Sequence, residues 1–144
     1  MLNLKITTPE GETFNDVVDS ITIPTKMGEI TILPNHIPLV SAVMPGEIIA
    51  RKKDKEEYLS VSTGFVEVSN NNVTLLADTA EMVDTLVEEE ILRAKERAEK
   101  LLTEKRQESD VAFAEVAAIL EREVVRLKVY RRRRHGNKNL EINN

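Results

Sequence analysis

The stretch Gly28–Gly46, GEITILPNHIPLVSAVMPG, decides the fold of the first half of this 144-residue chain. Its 19 residues include two glycines, three prolines and one of the two histidines, between short β-type runs. Because proline fixes φ and glycine permits positive φ, the sequence itself sets where the chain turns. The stretch has no nucleophile cluster, metal-ligand cluster or phosphate-binding loop. A segment this rigid and this poor in reactive groups favours a docking surface over an active site.

Composition excludes several classes of protein. The chain has no cysteine, so disulfides and thiolate metal sites are ruled out. Aromatic residues make up 3% of the chain and tryptophan is missing, which disfavours modules that stack on nucleic-acid bases. No apolar run approaches the roughly 20 residues of a membrane span, and the first residues lack the basic and apolar regions of a signal peptide. We therefore expect a protein that faces the cytosol.

The net charge of −5 conceals an asymmetry between the two halves of the chain. Residues 1–84 carry 6 Lys/Arg against 13 Asp/Glu, whereas residues 85–144 carry 14 against 12. Residues 124–139 hold seven basic side chains and no acidic one. An acidic first half and a basic end predict two units with different partners.

Residues 1–84 read as β-structure. Apolar residues alternate with polar ones in five short runs: Leu2, Leu4 and Ile6; Ile21 and Ile23; Ile30 and Ile32; Leu59 and Val61; Val66 and Val68. This period of two predicts half-buried strands. Asn70–Asn72 predicts a hairpin turn, because asparagine tolerates the left-handed conformation, and the polar run 52–57 predicts a second connection. Many short strands with frequent turns predict an N-terminal all-β sandwich, in the form of a flattened barrel.

From Thr85 onward the apolar period becomes that of a helix. Thr85–Glu88 fits a capping box, and Ser109 and Asp110 are candidate caps of a second helix. Two stripes recur at steps of four and three: Val87, Ile91, Ala94, Ala98 and Leu101; Phe113, Ala117, Leu120, Val124 and Leu127. Joined by a short polar link, they predict an antiparallel hairpin over residues 85–135, with helices of about 18 residues each. The fold class is thus α+β in two units, and residues 136–144 predict a disordered polar tail.

Two ordered motifs resemble the epsilon subunit of the bacterial F-type, or rotary, ATP synthase. They are GEITILPNHIPLVSAVMPGEI at residues 28–48 and GFVEVSNNNVTLLADTAE at residues 64–81. The family's sequences read close to GELGILPGHAPLLTALKPG and GGFVEVxxNxVTVLADTA, and the resemblance covers residues 2–130. This chain departs from them at Ile30-Thr31 and at Asn35, which replaces a glycine. Asparagine can adopt the left-handed conformation, so we expect the turn to be kept.

The resemblance implies a non-catalytic subunit of the proton-translocating enzyme, with no catalytic residue and no metal site. Its β-sandwich would bind the gamma stalk and stand on the ring of c subunits. Gly28 and Glu29 would meet the ring's polar loops, and His36 would lie near the rotor contacts. The helical hairpin would fold back on the sandwich or extend along the gamma stalk. When extended, its basic face would reach the catalytic beta and alpha subunits and inhibit ATP hydrolysis.

The resemblance also implies a location at the cytoplasmic face of the bacterial plasma membrane. Association with the membrane would occur only through the complex, and no nucleic acid is expected as a partner.

Two residues of the first motif also have plainer interpretations. Taken alone, Glu29 could be a solvated turn residue, although an exposed carboxylate on a proline-limited loop suits a basic loop of a partner. His36 has no nucleophile or second metal ligand near it in the sequence, which favours a structural histidine bonded within its turn.

The second half supplies the candidate basic face, which comprises Arg122, Arg126, Lys128, Arg131, Arg132, Arg133 and Arg134. These residues could be a solvated helix end, where cations favour the helix dipole. Four consecutive arginines repel one another, however, and a partner with clustered carboxylates or phosphates would relieve that repulsion. Contact with an acidic motif of the beta subunit is the preferred interpretation. The alternative is an independent β-sandwich module whose basic helical tail binds nucleic acid or anionic membrane.

Some relatives bind ATP between the two helices through a pattern close to I/L-D-x-x-R-A. Aligned without gaps, the aspartate of that pattern falls on Val87 and the arginine on Glu90, which reverses the local charge. The later arginines do match, and they leave Arg97, Arg122 and Arg126 as candidate ATP contacts. We therefore expect no required cofactor, and the two departures argue against ATP as a regulatory ligand.

Overall fold

A computed structural model describes residues 1–106 and 109–141, and the chain divides into two compact units, residues 1–85 and residues 86–144. The first unit contains ten strands: β1 (Leu2–Thr8), β2 (Gly11–Val18), β3 (Ser20–Thr25), β4 (Gly28–Ile32), β5 (Leu39–Val43), β6 (Gly46–Lys52), β7 (Lys55–Val61), β8 (Gly64–Ser69), β9 (Asn72–Ala77) and β10 (Ala80–Met82). A short 3₁₀ turn, Val83–Thr85, follows β10. The second unit contains α1 (Glu88–Lys105) and α2 (Asp110–Glu141).

The strands form a nearly closed β-sandwich. Their order is β10-β7-β6-β3-β5-β8-β9-β1-β2, and β4 pairs with β3 outside that path. Strand β1 runs parallel to β9 and antiparallel to β2. The two ends of the path, β2 and β10, approach each other where the Thr13 hydroxyl donates to the Ala80 carbonyl at 3.4 Å. The predicted flattened barrel followed by two helices is confirmed.

The core of the sandwich follows from the alternation of apolar residues. Leu2, Leu4 and Ile6 of β1 are fully buried, while the residues between them are exposed. The apolar residues of the other predicted runs are also buried, except that Ile30 is only partly buried against the core. Thr22 and Ser60, which lie between the apolar residues of two of these runs, are buried as well, so both faces of β3 and β7 are covered there. Every buried residue of this core lies between residues 2 and 80. The first unit therefore has a hydrophobic core of its own.

Left-handed backbone conformations fix the predicted turns. Asn70 and Asn71 have φ of 49° and 61°, and they join β8 to β9 in register, with Ser69 opposite Asn72. Asn35 has φ of 64°, so it keeps the turn that glycine forms in the resembling sequences. The polar connection after β6 is shorter than predicted, because β7 already begins at Lys55.

The helices differ from the sequence-based expectation at their ends. Thr85 does not cap α1, because it belongs to the 3₁₀ turn and its hydroxyl donates to the Met82 carbonyl at 2.7 Å. Helix α1 therefore starts at Glu88, after Val87, without a side-chain cap. Ser109 does cap α2, since its hydroxyl oxygen accepts from the Ala112 amide at 3.1 Å.

Helix α2 is longer than predicted, with 32 residues, whereas α1 has the expected 18. It continues through Gly136 to Glu141, over residues for which the sequence predicts a disordered polar tail from residue 136. No proline interrupts this run, and backbone hydrogen bonding can pass through one glycine at modest cost. Residues 142–144 of the predicted tail lie outside the described residues.

The buried side of α2 is rotated from the predicted stripe. Val116, Glu123, Leu127 and Tyr130 are buried, whereas Val124 of the predicted stripe is exposed. In α1, Ile91 and Ala98 are buried. The buried side of α2 thus carries the carboxylate of Glu123, one position before the valine that apolar periodicity predicts to be buried.

Candidate docking surfaces

An exposed apolar row crosses the sandwich on three adjacent strands. Phe65 of β8 lies opposite Ala42 of β5 on one side and opposite Leu76 of β9 on the other. Phe65 is 64% exposed and Leu76 is 56% exposed. The strands require this placement, because Val66 and Leu75 point into the core and their chain neighbours must point outward. We call Ala42, Phe65 and Leu76 the apolar row.

A cleft of about 530 Å³ adjoins the apolar row. It is lined by three-residue segments of four neighbouring elements: Thr7 to Pro9, Ala42 to Met44, Thr63 to Phe65, and Leu76 to Asp78. Gly64 is one of the lining residues, and an added Cβ there would lie 2.1 Å from the Leu76 carbonyl oxygen. Glycine is therefore needed for β8 and β9 to approach this closely.

Sequence reasoning missed the apolar row, although a signal was present. Phe65-Val66 and Leu75-Leu76 each place two large apolar residues side by side. In a strand, such a pair puts one side chain on each face of the sheet. Two pairs in adjacent strands thus indicate an apolar outer face, and contiguous exposed apolar surface marks sites of interaction.

The predicted contact residues Gly28 and Glu29 begin β4, directly after the turn that joins it to β3. Gly28 has φ of 109°, which favours glycine, and Glu29 is exposed opposite Pro24. The Thr25 hydroxyl donates to the Gly28 carbonyl at 2.6 Å and accepts from the Met27 amide at 3.3 Å. Met27 at the tip is 95% exposed. The turn is thus held by its own hydrogen bonds while it presents an apolar and an acidic side chain to solvent.

His36 lies in a different turn from Glu29. Its Nδ1 is 2.7 Å from the Ile37 carbonyl oxygen, and its amide donates to the Leu33 carbonyl at 3.1 Å. The preceding residue, Asn35, donates its amide to the Asn71 side chain at 2.6 Å, which ties this turn to the β8–β9 hairpin. Glu29 is the second residue of β4 and His36 follows the end of that strand, so the two residues lie toward opposite ends of β4.

Several members of the candidate basic face have partners within the second unit. Glu123, only 1% exposed, accepts from Arg126 Nη1 at 2.6 Å and from Arg122 Nη2 at 3.3 Å. Arg134 stacks over the Tyr130 ring, 5.8 Å from its centre, and donates to its hydroxyl. The Arg131 guanidinium donates to Glu88 at 2.7 Å. These arginines are therefore already engaged with acceptors of the same chain.

The candidate basic residues do not share one side of α2. Successive helical residues are separated by about 100°, so four consecutive arginines at 131–134 spread over most of the circumference. Lys128 and Arg132 are exposed, and Arg133 is half-buried. A partner on one side of the helix would contact only a subset of the predicted residues.

The candidate ATP contacts are only partly brought together. Arg122 and Arg126 both reach Glu123, whereas Arg97 is exposed on α1. An anionic ligand at the Arg122–Arg126 pair would have to displace the Glu123 carboxylate or lie beside it. Sequence reasoning did not identify Glu123, because an isolated glutamate three residues before an arginine is typical of a solvated helix surface.

Within residues 1–106 and 109–141, no group of three or more His, Asp or Glu side chains is arranged to hold a metal ion. Neither of the helices described there is long and apolar enough to cross a membrane.

Comparison with known proteins supplies the family. The family described as "ATP synthase, Delta/Epsilon chain, beta-sandwich domain" matches residues 1–83. The ATP synthase epsilon chain of Desulfitobacterium hafniense (strain DSM 10664 / DCB-2) is 44% identical over 128 residues, which cover 89% of this chain and 95% of the relative. The chain belongs to the ATP synthase epsilon-chain family. The epsilon chain of Halalkalibacterium halodurans is 38% identical over 89% of this chain and 96% of the relative.

Membership confirms the resemblance of the two motifs to bacterial epsilon subunits. An epsilon chain is a non-catalytic stalk subunit of ATP synthase, so this protein is not an enzyme in its own right. As a subunit of ATP synthase, it is part of a membrane-associated complex.

Two solved structures share the fold. A chain of the Euglena gracilis mitochondrial ATP synthase OSCP/F1/c-ring structure matches with a TM-score of 0.67 at 22% identity, covering 83% of this chain and 75% of that one. A chain of the Tetrahymena thermophila mitochondrial ATP synthase central stalk/c-ring structure matches with a TM-score of 0.58 at 16% identity, covering 90% and 96%.

Proposed function

We propose that this epsilon chain joins the gamma stalk of ATP synthase to the ring of c subunits and inhibits ATP hydrolysis through its C-terminal helices. The apolar row carries the first part of the proposal. Phe65 and Leu76 are large, exposed and adjacent on a sandwich whose core is complete without them. Such side chains gain most when a partner covers them. The two solved structures that share this fold are an OSCP/F1/c-ring assembly and a central stalk/c-ring assembly.

The turn between β3 and β4 is the proposed contact with the c ring. Glu29 supplies a carboxylate that suits basic groups of a ring loop, and Met27 supplies an apolar tip. Because Thr25 holds the backbone of this turn from both sides, little freedom is lost when a partner binds. His36 contributes by fixing its own turn, through the hydrogen bonds of its ring and its amide.

The helical hairpin is the proposed inhibitory element. Its basic residues would meet acidic groups of the catalytic beta and alpha subunits when the hairpin extends. Lys128 is exposed on α2, where an acidic group of a partner could reach it. The proposed location is the cytoplasmic face of a bacterial plasma membrane, which is supported by the bacterial origin of the relatives.

Removal of residues 86–144 tests this division of roles. Since every core residue of the sandwich lies between 2 and 80, the remaining fragment should fold and bind the gamma stalk. ATP hydrolysis by a complex assembled with this fragment should rise. A control complex assembled with the full chain carrying Glu57→Gln, a substitution at an exposed residue of β7, should hydrolyse ATP at the wild-type rate. A fragment that folds but no longer binds the rotor would contradict the assignment of rotor binding to the sandwich.

A direct binding measurement addresses the alternative of a nucleic-acid or membrane module. Contacts with phosphates make binding fall steeply with salt. The internal partners of Arg122, Arg126, Arg131 and Arg134 disfavour such contacts. We expect no binding of the full chain to duplex DNA or to vesicles of anionic lipid at low salt; tight, salt-sensitive binding would favour the alternative.

A further inference from the structure

We propose that the ion pair between Glu88 and Arg131 is a latch that keeps the helical hairpin closed, and that opening the hairpin transfers Arg131 from Glu88 to an external carboxylate. The proposal rests on the inhibitory role proposed above and adds a regulatory contact to it. In the closed hairpin, the Arg131 guanidinium that would bind the partner's carboxylate is instead paired with Glu88 of the same chain.

The position of the pair makes it a link between the two helices. Arg131 Nε lies 2.7 Å from Glu88 Oε1, and the two residues are 43 positions apart in the chain. Glu88 is the first residue of α1, and Arg131 lies in the second half of α2. The ion pairs Lys95–Glu99 and Arg126–Glu123 each lie within one helix and survive separation of the helices. The Glu88–Arg131 pair does not survive it.

Few side chains of α1 are buried, so one ion pair between the two helices should have a measurable effect on the stability of the closed form. Within the described residues of α1, the buried side chains are Ile91 and Ala98, and alanine buries little apolar area. A short helical hairpin with few large apolar contacts is marginally stable. Its balance between closed and open forms should therefore respond to modest interactions.

After the ion pair breaks, both side chains can be hydrated, and Arg131 can bind another carboxylate. The Arg131 side chain is 50% exposed and the Glu88 side chain 37% exposed, so each can regain water when the hairpin opens. Glu88 stays near the N-terminus of α1, where the helix dipole favours a negative charge. Arg131 is left as an exposed guanidinium, whose planar donors suit a carboxylate of a partner.

Distance measurements on the full chain test the latch without the rest of the complex. Because the chain has no cysteine, Arg93→Cys and Ala118→Cys would place two spin labels at exposed positions, one on each helix. Glu88→Gln and Arg131→Gln should each raise the ratio of open to closed hairpin by up to about fivefold, the upper range for a solvent-exposed ion pair. Glu89→Gln removes the same charge from the neighbouring exposed position and should leave the distances unchanged.

A charge swap and a change of salt sharpen the result. Glu88→Arg and Arg131→Glu should each open the hairpin, and the double variant should close it again. The difference between wild type and Glu88→Gln should shrink at 1 M salt, where charges are screened within about 3 Å. Distances that are the same in all single variants, or no recovery in the double variant, would overturn the latch.

Hydrolysis by the assembled complex tests the transfer of Arg131. Glu88→Gln should strengthen inhibition, because Arg131 is released, whereas Arg131→Gln should weaken it. If the distances shift as expected but neither variant changes hydrolysis, the transfer to an external carboxylate is refuted while the latch stands. If removal of residues 86–144 also leaves hydrolysis unchanged, it is the inhibitory function itself that fails.

Discussion

Truncation of Phe65 to alanine should weaken binding to the rotor without weakening the fold. An aromatic side chain buries about 150–250 Å² when fully covered. Phe65 is 64% exposed in the free protein, so roughly 130 Å² remains for a partner to cover. At about 25 cal/mol per Å², covering that area contributes about 3 kcal/mol to binding.

The corresponding loss of affinity is large enough to measure. Because alanine keeps the Cβ, and because part of the gain is offset by ordering the interface, Phe65→Ala should raise Kd by about 30- to 150-fold. Leu76→Ala should act in the same direction with a smaller effect, and the two losses should not add, since the residues are neighbours on adjacent strands.

The measurement is a titration in which a complex of gamma stalk and c ring without its epsilon chain is added to the full chain, and binding is monitored by fluorescence anisotropy. Leu92→Ala is the matched control, because it truncates an exposed apolar side chain of α1 outside the apolar row. The melting temperature of each variant checks that the sandwich remains intact. An affinity of Phe65→Ala within about threefold of wild type, with an unchanged melting temperature, would refute the apolar row as the rotor contact.

Two further predictions concern the sandwich itself. Gly64→Ala would place a Cβ 2.1 Å from the Leu76 carbonyl oxygen and 2.8 Å from the Ala77 Cα. Because this clash would force β8 away from β9, the free energy of unfolding measured by urea denaturation should fall by about 3 kcal/mol. Ser41→Ala on the adjacent strand is its control, and a loss below about 0.5 kcal/mol for Gly64→Ala would contradict the clash. Hydrogen bonds from Lys52, at 2.8 and 2.9 Å, and from the Val17 amide hold the pKa of Asp16 below its ordinary value. Ionised Asp16 therefore stabilises the sandwich above about pH 4, and this stabilisation is lost as the pH falls through the lowered pKa. Asp16→Asn should therefore be less stable than wild type at pH 7 and should lose less stability on acidification, with Asp54→Asn as the control; equal slopes for Asp16→Asn and wild type below pH 4 would show that this carboxylate does not contribute.

The sandwich could be predicted in detail because its signals are local. The alternation of Leu2, Leu4 and Ile6 requires only that one face of a strand be buried, and all three are buried. Asn35 and the Asn70-Asn71 pair adopt positive φ because asparagine tolerates it better than most residues, whatever its tertiary surroundings. Such features can be read without knowledge of which strands become neighbours.

The misses arise where tertiary contacts override local pattern. Thr85 has the sequence of an N-cap, but the 3₁₀ turn after β10 uses its hydroxyl for the Met82 carbonyl. The sequence around Glu123 is typical of a solvated helix surface. Its carboxylate can be buried because Arg122 and Arg126 donate hydrogen bonds to it, and these contacts depend on the folded structure. The apolar row depends on β5, β8 and β9 lying side by side, and their order in the sheet is not apparent from any one strand.

The burial of Glu123 has a consequence for the solubility of the subunit. A helix that leaves its partner usually uncovers a continuous aliphatic seam, and such a seam attracts other chains and leads to aggregation. Here the uncovered side would carry a carboxylate between Val116 and Leu127, with Arg122 and Arg126 beside it. Water can hydrate that cluster as soon as it is exposed. If the hairpin opens as proposed, the side that it uncovers would therefore attract other chains less than a purely aliphatic seam would.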